Sequence, residues 1–461
     1  MVSFSLADIV IIVLFFVIVI VIGLWSSRNS KYDADSFLLS GRKVGMLLFV
    51  FTNVATWYGG VLGVGEFTFR YGIVSWFTQG LPYYFFAAIF ALLFAAKIRK
   101  ASLFTLPEKL TETYGRKVGM ISAVLVMILV SPAPYLLMLA YLTSVIFGIS
   151  IFYSMIIALI VSTIYLFKGG YRANLFTDAF QFFIMFAGFI VIVLIGFLDF
   201  GGLNFIEANV PQEHLILTGG MSPLYITVWF LIAMWTFTDP GFHQRSYSAK
   251  SDKVAKYGIL ISIFLWICFD FLTTSTGLFS RAILVEVENP VMAYPLLADK
   301  ILGNGLKGIF FAALLATILS TLNSYMFLSA TTISRDFLNQ LSIKKDSVFF
   351  TRIGLAITIF ISLLLASLFD SIVQMWYVFG SICIPGMIFL VFGAYFEKLK
   401  VSGKIALIEI LAGSLVSATA ALLRSGFDNY LFSEIEPMIF GLLAAIIIHS
   451  IGLKNKRSLS K

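Results

Sequence analysis

The chain has 461 residues, of which 60% are hydrophobic, 16% aromatic and 12% charged. A water-soluble fold of that composition would expose more apolar surface than water tolerates, which excludes a soluble domain and leaves the bilayer as the solvent. The formal charge of +8 is spread over short polar segments instead of one face, so it reports membrane topology and not nucleic-acid binding.

A span of the hydrocarbon core takes about 20 mostly apolar residues. Such stretches run at 6–26, 45–68, 73–96, 119–148, 150–167, 175–198, 223–243, 257–283, 302–333, 349–369, 372–396, 404–424 and 430–452. They predict an all-α integral membrane protein of about 13 transmembrane helices. The first leads into Arg28, Lys31, Arg42 and Lys43 with no convincing cleavage site, so it is read as a retained span and not a signal peptide. The second is interrupted by Gly59, Gly60, Gly63 and Gly65, and the third carries Gln79. In the sixth, Asp178 lies near the inner end with Gln181 one turn on. The seventh breaks at Asp239-Pro240-Gly241, followed by His243, and the eighth contains Asp270. In the ninth, Thr317, Ser320, Thr321 and Ser324 follow the i, i+3, i+4, i+7 spacing of one helix face, with Asn323 beside the stripe. Gln374 sits at the outer start of the eleventh. Cys268 and Cys383 fall inside apolar spans and read as small core residues.

Loop charge tests the count, because cytoplasmic loops concentrate Lys and Arg. With the N-terminus outside and the C-terminus cytoplasmic, the inner segments hold 27 of the 32 basic residues, and the outer loops are acidic. A multi-pass cell-membrane protein follows. The outer loops carry no Asn-x-Ser/Thr sequon, which leans toward a prokaryotic membrane.

The interrupted second and seventh spans lie five spans apart, and an odd number of spans per repeat forces inverted topology. The organisation expected is therefore residues 1–44 as an extra N-terminal helix with an inner loop, 45–198 and 199–396 as two inverted repeats, and 397–461 as two C-terminal helices with a short tail. Each breaker also has a plainer reading, since Gly permits close helix packing and Pro only kinks.

Sodium is a hard cation that takes several oxygen ligands, and hydroxyls with free backbone carbonyls supply them without a carboxylate cluster. Carbonyls come free where a helix unwinds, so Thr52-Asn53-Val54-Ala55-Thr56, just before Gly59-Gly60, is a candidate source to face the hydroxyl stripe. The alternative for each hydroxyl is a bond to its own helix backbone.

At these residues the chain resembles the sodium:solute symporter family. The likeness is carried by Asp35-Ser-Phe-Leu-Leu-Ser-Gly-Arg42, Phe104-Thr-Leu-Pro-Glu108 and Gly169-Gly-Tyr-Arg-Ala-Asn-Leu-Phe-Thr-Asp-Ala-Phe-Gln181. Gln244-Arg245 with Ala249, and Ser320-Thr-Leu-Asn-Ser324 running to Arg335-Asp336, complete it. The resemblance implies a leucine-transporter-like 5+5 inverted repeat with one N-terminal and two C-terminal extra helices. It also implies a main sodium held by the carbonyls of Asn53, Thr56 and Thr317 and the hydroxyls of Ser320 and Thr321. Asp178, Ser320, Asn323 and Ser324 match a second sodium site of some members, many of which have Asp where this chain has Asn323. A structural partnership of Asp178 with an inner-loop Arg or Lys stays open.

The family's solute lies at midplane, which implies that Trp57, Tyr58, Gln79 and Asp239 face it. Gly60 stands where sugar transporters place a polar side chain, and the fourth span has no Arg to clamp a carboxylate as in sialic acid transporters. An ionised Asp239 facing the cavity would favour a cationic or amine-bearing solute, and a cap at the helix break is its other role. Trp57 and Tyr58 are stacking walls or packing aromatics.

The function expected is sodium-coupled symport of a small polar organic solute, with Na+, the solute and the lipid bilayer as partners. No nucleic acid or obligate protein partner is expected. Proton coupling through Asp178 or Asp239, and a solute sensor built on the same fold, are the alternatives. An enzyme is disfavoured because His214, His243 and His449 are scattered and no nucleophile–base pairing appears. A nucleotide-driven pump is disfavoured because there is no phosphate-binding loop.

Overall fold

The computed structural model describes residues 2–28, 33–284, 286–338, 347–368, 372–426 and 436–459, with the backbone alone for 372–374, 425–426 and 457–459. In hydrocarbon every backbone N–H and C=O must find an internal partner, and a helix does this within one segment. Among the described residues the regular structure is accordingly helical, apart from one isolated parallel bridge between Val44 and Ala249.

Eleven of these helices are long and apolar enough to cross a membrane. The other two expected spans fall short of that standard for different reasons. Ile151–Thr163 has only 13 residues. The seventh is divided into Pro223–Ile232, Trp235–Thr238 and Pro240–Ser248, because Asp239 is extended and Pro240 cannot continue the preceding ladder. The fourth span also departs from a single rod. It is Arg116–Leu129 and Ala133–Phe147 joined through Ser131-Pro132, with Pro134 in the first turn of the second piece. The stretch 168–174, expected as loop, is helical with a sharp bend at Gly170. There φ is 57°, and an added Cβ would meet the Phe37 ring at 2.9 Å. The side chain of Gln374 and residues 369 and 430–435 of two expected spans lie outside the described residues.

Six helices frame the site: α1 (Leu6–Ser27), α2 (Met46–Ala55), α3 (Val61–Tyr71), α4 (Leu166–Phe200), α5 (Pro240–Ser248) and α6 (Leu306–Thr332). Between α2 and α3 the backbone tightens into a 3-10 turn, Trp57–Gly60. Burial separates centre from rim: 94% of the apolar window of Leu306–Phe337 is buried, against 28% of that of α1. The hydroxyl-bearing helix is thus the protein's axis, and α4 packs along it more extensively than any other pair of helices.

That axis is pinned at its N-terminal end from far along the chain. Asp8 of α1 accepts from the backbone N–H groups of Gly305 and Gly308, both at 2.8 Å, and so caps α6. Beside it, Asp299 accepts from Lys307 Nζ at 2.7 Å and from the Ser3 backbone at 3.2 Å, while Lys307 also donates to the Ser3 carbonyl. Burial raises the Asp299 pKa, but the hydrogen bonds from Lys307 and Ser3 outweigh it and hold the carboxyl below its ordinary 3.8. A depressed carboxyl stabilises the fold fully above its unfolded pKa, and that contribution is lost as pH falls through the folded one. Asp299→Asn is therefore expected to lower the thermal midpoint by about 1–2 °C at pH 7, a gap that narrows below pH 3.8. An unchanged midpoint at pH 7 would show the cluster to be ornamental.

Candidate functional site: a hydroxyl-lined helix break beside an aromatic cavity

The last turn of α2 leads into the 3-10 segment, so its carbonyls leave the regular i→i+4 ladder. The Thr56 carbonyl accepts the Thr321 hydroxyl of α6 at 2.7 Å. The close approach needs Gly59, whose added Cβ would fall on the Thr321 side chain. Thr317, one turn earlier on α6, gives its hydroxyl to the Leu314 carbonyl at 2.7 Å and offers its own carbonyl to Thr321 at 3.3 Å. Asn53 is buried nearby, and its side-chain amide nitrogen has no partner. Of the five residues expected around the main sodium, Thr56, Thr317 and Thr321 thus share one hydrogen-bonded contact, while Ser320 turns to a neighbouring group.

That group is Asp178 of α4, which is completely buried. Its Oδ1 accepts from Ser320 Oγ at 2.6 Å, and its Oδ2 accepts from Thr52 Oγ1 at 2.5 Å and Asn174 Nδ2 at 3.1 Å. Thr56 Oγ1 lies within 3.5 Å of Asp178, Ser320 and Ser324, and Asn174 also donates to Ser324 at 2.7 Å. An ionised carboxylate only accepts, so the Ser320 and Thr52 hydroxyls point their protons at Asp178 and leave lone pairs free for a cation. Asn323 is turned away, its amide donating to the Tyr165 hydroxyl and its carbonyl oxygen unpartnered.

Thr52 and Asn174 were not singled out from the sequence as part of this cluster. The signal was there, since each lies four residues before a chosen one, Thr56 or Asp178, on the same helix face. Among the described residues no three His, Cys, Asp or Glu side chains gather as a metal site, and the oxygens here come from hydroxyls, carbonyls and one carboxylate.

On the other side of the break lies a cavity of about 160 Å³, room for on the order of ten waters and so for a small solute. Trp57, Tyr58, Gln79 and Asp239 all line it, as do Arg245, Asp270 and a ring of aromatics that includes Trp76, Tyr135 and Trp376. Trp57, Tyr58 and Asp239 differ in what holds them. Trp57 packs against Trp266 and Tyr83, both at 4.9 Å between ring centroids. Tyr58 spends its hydroxyl on the Trp266 carbonyl at 2.8 Å, so it presents a packed edge to the cavity. Asp239 caps α5 by accepting from the Gly241 N–H at 2.6 Å while still lining the cavity, so the two roles weighed for it coexist. Asp270 is held by the Tyr84 hydroxyl, and His243 by the Phe237 carbonyl at 2.9 Å.

Comparison with known proteins fits this geometry. The family model described as "Sodium:solute symporter family" matches residues 37–413. Human sodium/glucose cotransporter 4 is 28% identical over 389 residues, covering 71% of this chain and 55% of the relative. High-affinity choline transporter 1 of Caenorhabditis elegans is 31% identical over 203 residues, covering 41% and 35%. The chain thus spans about half or less of the length of these relatives. Among solved structures, a substrate-bound, outward-open Na+-coupled sialic acid symporter superposes with a TM-score of 0.83 at 16% identity, covering 98% of both chains. Mhp1, a nucleobase-cation-symport-1 family transporter with bromovinylhydantoin bound, gives 0.61 at 14% identity, covering 91% of this chain and 94% of its own. At these identities the two structures establish the shared fold alone.

Proposed function

The chain belongs to the sodium:solute symporter family, and we propose that it couples inward movement of sodium to uptake of a small polar organic solute by alternating access. The observation that carries this reading is the contact of the Thr321 hydroxyl with the Thr56 carbonyl at a helix break that also lines the aromatic cavity. An ion held by the carbonyls of Asn53, Thr56 and Thr317 and the hydroxyls of Ser320 and Thr321 would fix the break in the shape that completes the solute wall. Ion and solute would then strengthen each other's binding, as linkage requires. Each sodium moving inward contributes about 2.3 kcal/mol per 100 mV of membrane potential.

For a second sodium, the grouping of Asp178, Ser320 and Ser324 lends support, and Asn323 lends none because its amide serves Tyr165. We take the chain as thirteen spans with an outer N-terminus and inner C-terminus, and repeats at 45–198 and 199–396, from the basic-residue alternation and the two interrupted segments. The solutes of the named relatives are not carried over, because Gly60 and the Arg-free fourth span depart from the sugar and sialic acid patterns.

The test is the thermal stability of the purified protein in sodium against potassium at matched ionic strength. Sodium is expected to raise the midpoint, and Ser320→Ala or Thr321→Ala to weaken its apparent affinity about 10- to 100-fold, the cost of one buried hydroxyl facing a charge. Equal midpoints in the two salts, with uptake that follows pH, would replace sodium coupling by proton coupling.

A further inference from the structure

Arg245, which follows the seventh expected span in the sequence, lies on α5, is 5% exposed and lines the cavity. Its Nε is fully buried with no acceptor, and among the described residues the guanidinium has no hydrogen-bond, ion-pair or cation–π partner. A charged donor buried without an acceptor is expensive, and a ligand that brings an acceptor to the guanidinium removes the cost.

Two acids face Arg245 within electrostatic reach, Asp178 and Asp239, and neither forms an ion pair with it. Asp239, Phe242 and Arg245, at i, i+3 and i+6, present one face of α5 to the cavity. The point where a Cβ on Gly241 would sit lies 2.8 Å from Arg245 Nη1 and 2.9 Å from Asp239 Oδ1. The two opposite charges therefore flank a common point without closing on each other. Such a pair is arranged to be bridged.

We propose that Arg245 anchors a carboxylate of the solute while Asp239 takes its amine, so that the solute is a small zwitterion of the amino-acid type. Arg245 and Asp239 cancel each other, and a zwitterion adds no net charge to the pair or to Asp270, the other acid on the cavity wall. A lone anion would add to the charge of Asp270, and a lone cation would leave Arg245 without an acceptor at membrane depth. A guanidinium meets a carboxylate through two parallel N–H donors, a geometry that an uncharged sugar hydroxyl does not match. The proposal depends on the symport reading only in taking the cavity as the solute site.

The experiment measures thermal stabilisation of the full chain in saturating sodium by the twenty amino acids and glycine betaine, with glucose and myo-inositol as uncharged controls. Each stabilising zwitterion is compared with its carboxamide and its decarboxylated amine. At least one zwitterion is expected to stabilise, and its carboxamide to bind at least tenfold more weakly. Arg245→Gln should impose the same loss on the zwitterion while sodium alone still stabilises the variant, which shows that it folds, and Arg245→Lys should recover part of the affinity. The proposal is overturned if no zwitterion stabilises, if acid and carboxamide bind alike, or if Arg245→Gln binds the zwitterion as the parent does. Should sodium prove irrelevant while the zwitterion still requires Arg245, sodium coupling fails and the anchor stands.

Discussion

Asp178→Asn is expected to weaken sodium affinity about 30- to 1000-fold while leaving the protein folded. The carboxylate accepts three hydrogen bonds, from Ser320, Thr52 and Asn174, and donates none. An Asn at this position keeps one acceptor oxygen and turns the other into a donor, so one hydroxyl must swing its proton elsewhere, into the direction its lone pair held. The negative charge is lost as well. A unit charge about 4 Å from a cation, at an effective dielectric constant near 20, is worth about 4 kcal/mol before the cost of burying it is set against it. Allowing for that cost leaves about 2–4 kcal/mol, which is the stated range in affinity. The readout is a sodium titration of thermal stability, with Thr52→Val as the companion that removes one donor and keeps the charge. A companion defect as large as that of Asp178→Asn would locate the effect in hydroxyl geometry. Unchanged sodium affinity in Asp178→Asn would remove the carboxylate from the ion's surroundings.

What the sequence disclosed and what it hid follow from the range over which each feature is encoded. The broken helices were legible because their causes are local: glycines at 59 and 60, and an Asp-Pro-Gly run at 239–241. The hydroxyl stripe was legible because four residues at helical spacing state which face they share. The partners across that face were harder, since an offset of one residue turns a side chain by about 100°, and Asn323 sits one position off the face that meets Asp178. Its bond to Tyr165 joins positions 158 residues apart, and the Asp8 cap on α6 spans about 300, so no local pattern announces either. The place of Arg245 on the cavity wall was hidden for a related reason. Counting Lys and Arg sorts the loops by charge, but a basic residue at the C-terminal end of a broken span can equally turn into the cavity, and only the path of α5 after Pro240 decides which.

Gly59→Ala and Gly60→Ala, one residue apart, are expected to fail in different ways. The Cβ added at Gly59 would fall on the Thr321 side chain, whereas the one added at Gly60 would fall on the indole of Trp376, which lines the cavity. Neither site is open, and inserting a methyl into packed surroundings costs about 1–3 kcal/mol. At Gly59 that strain parts the 3-10 segment from α6 and lengthens the contact between the Thr321 hydroxyl and the Thr56 carbonyl. Sodium-dependent stabilisation is therefore expected to fall about 10- to 100-fold, and uptake with it. At Gly60 the strain is taken up by a ring at the cavity wall, so sodium alone should still stabilise the protein while solute affinity falls by a similar factor. Equilibrium titration with sodium and then with solute separates the two cases. Equal loss of sodium response in both variants would mean that the break moves as one body and that ion and solute walls are not separable there. A normal sodium response in Gly59→Ala would mean that the ion does not depend on the close approach of Thr321 to the break, and the assignment of the main sodium to this junction would fall with it.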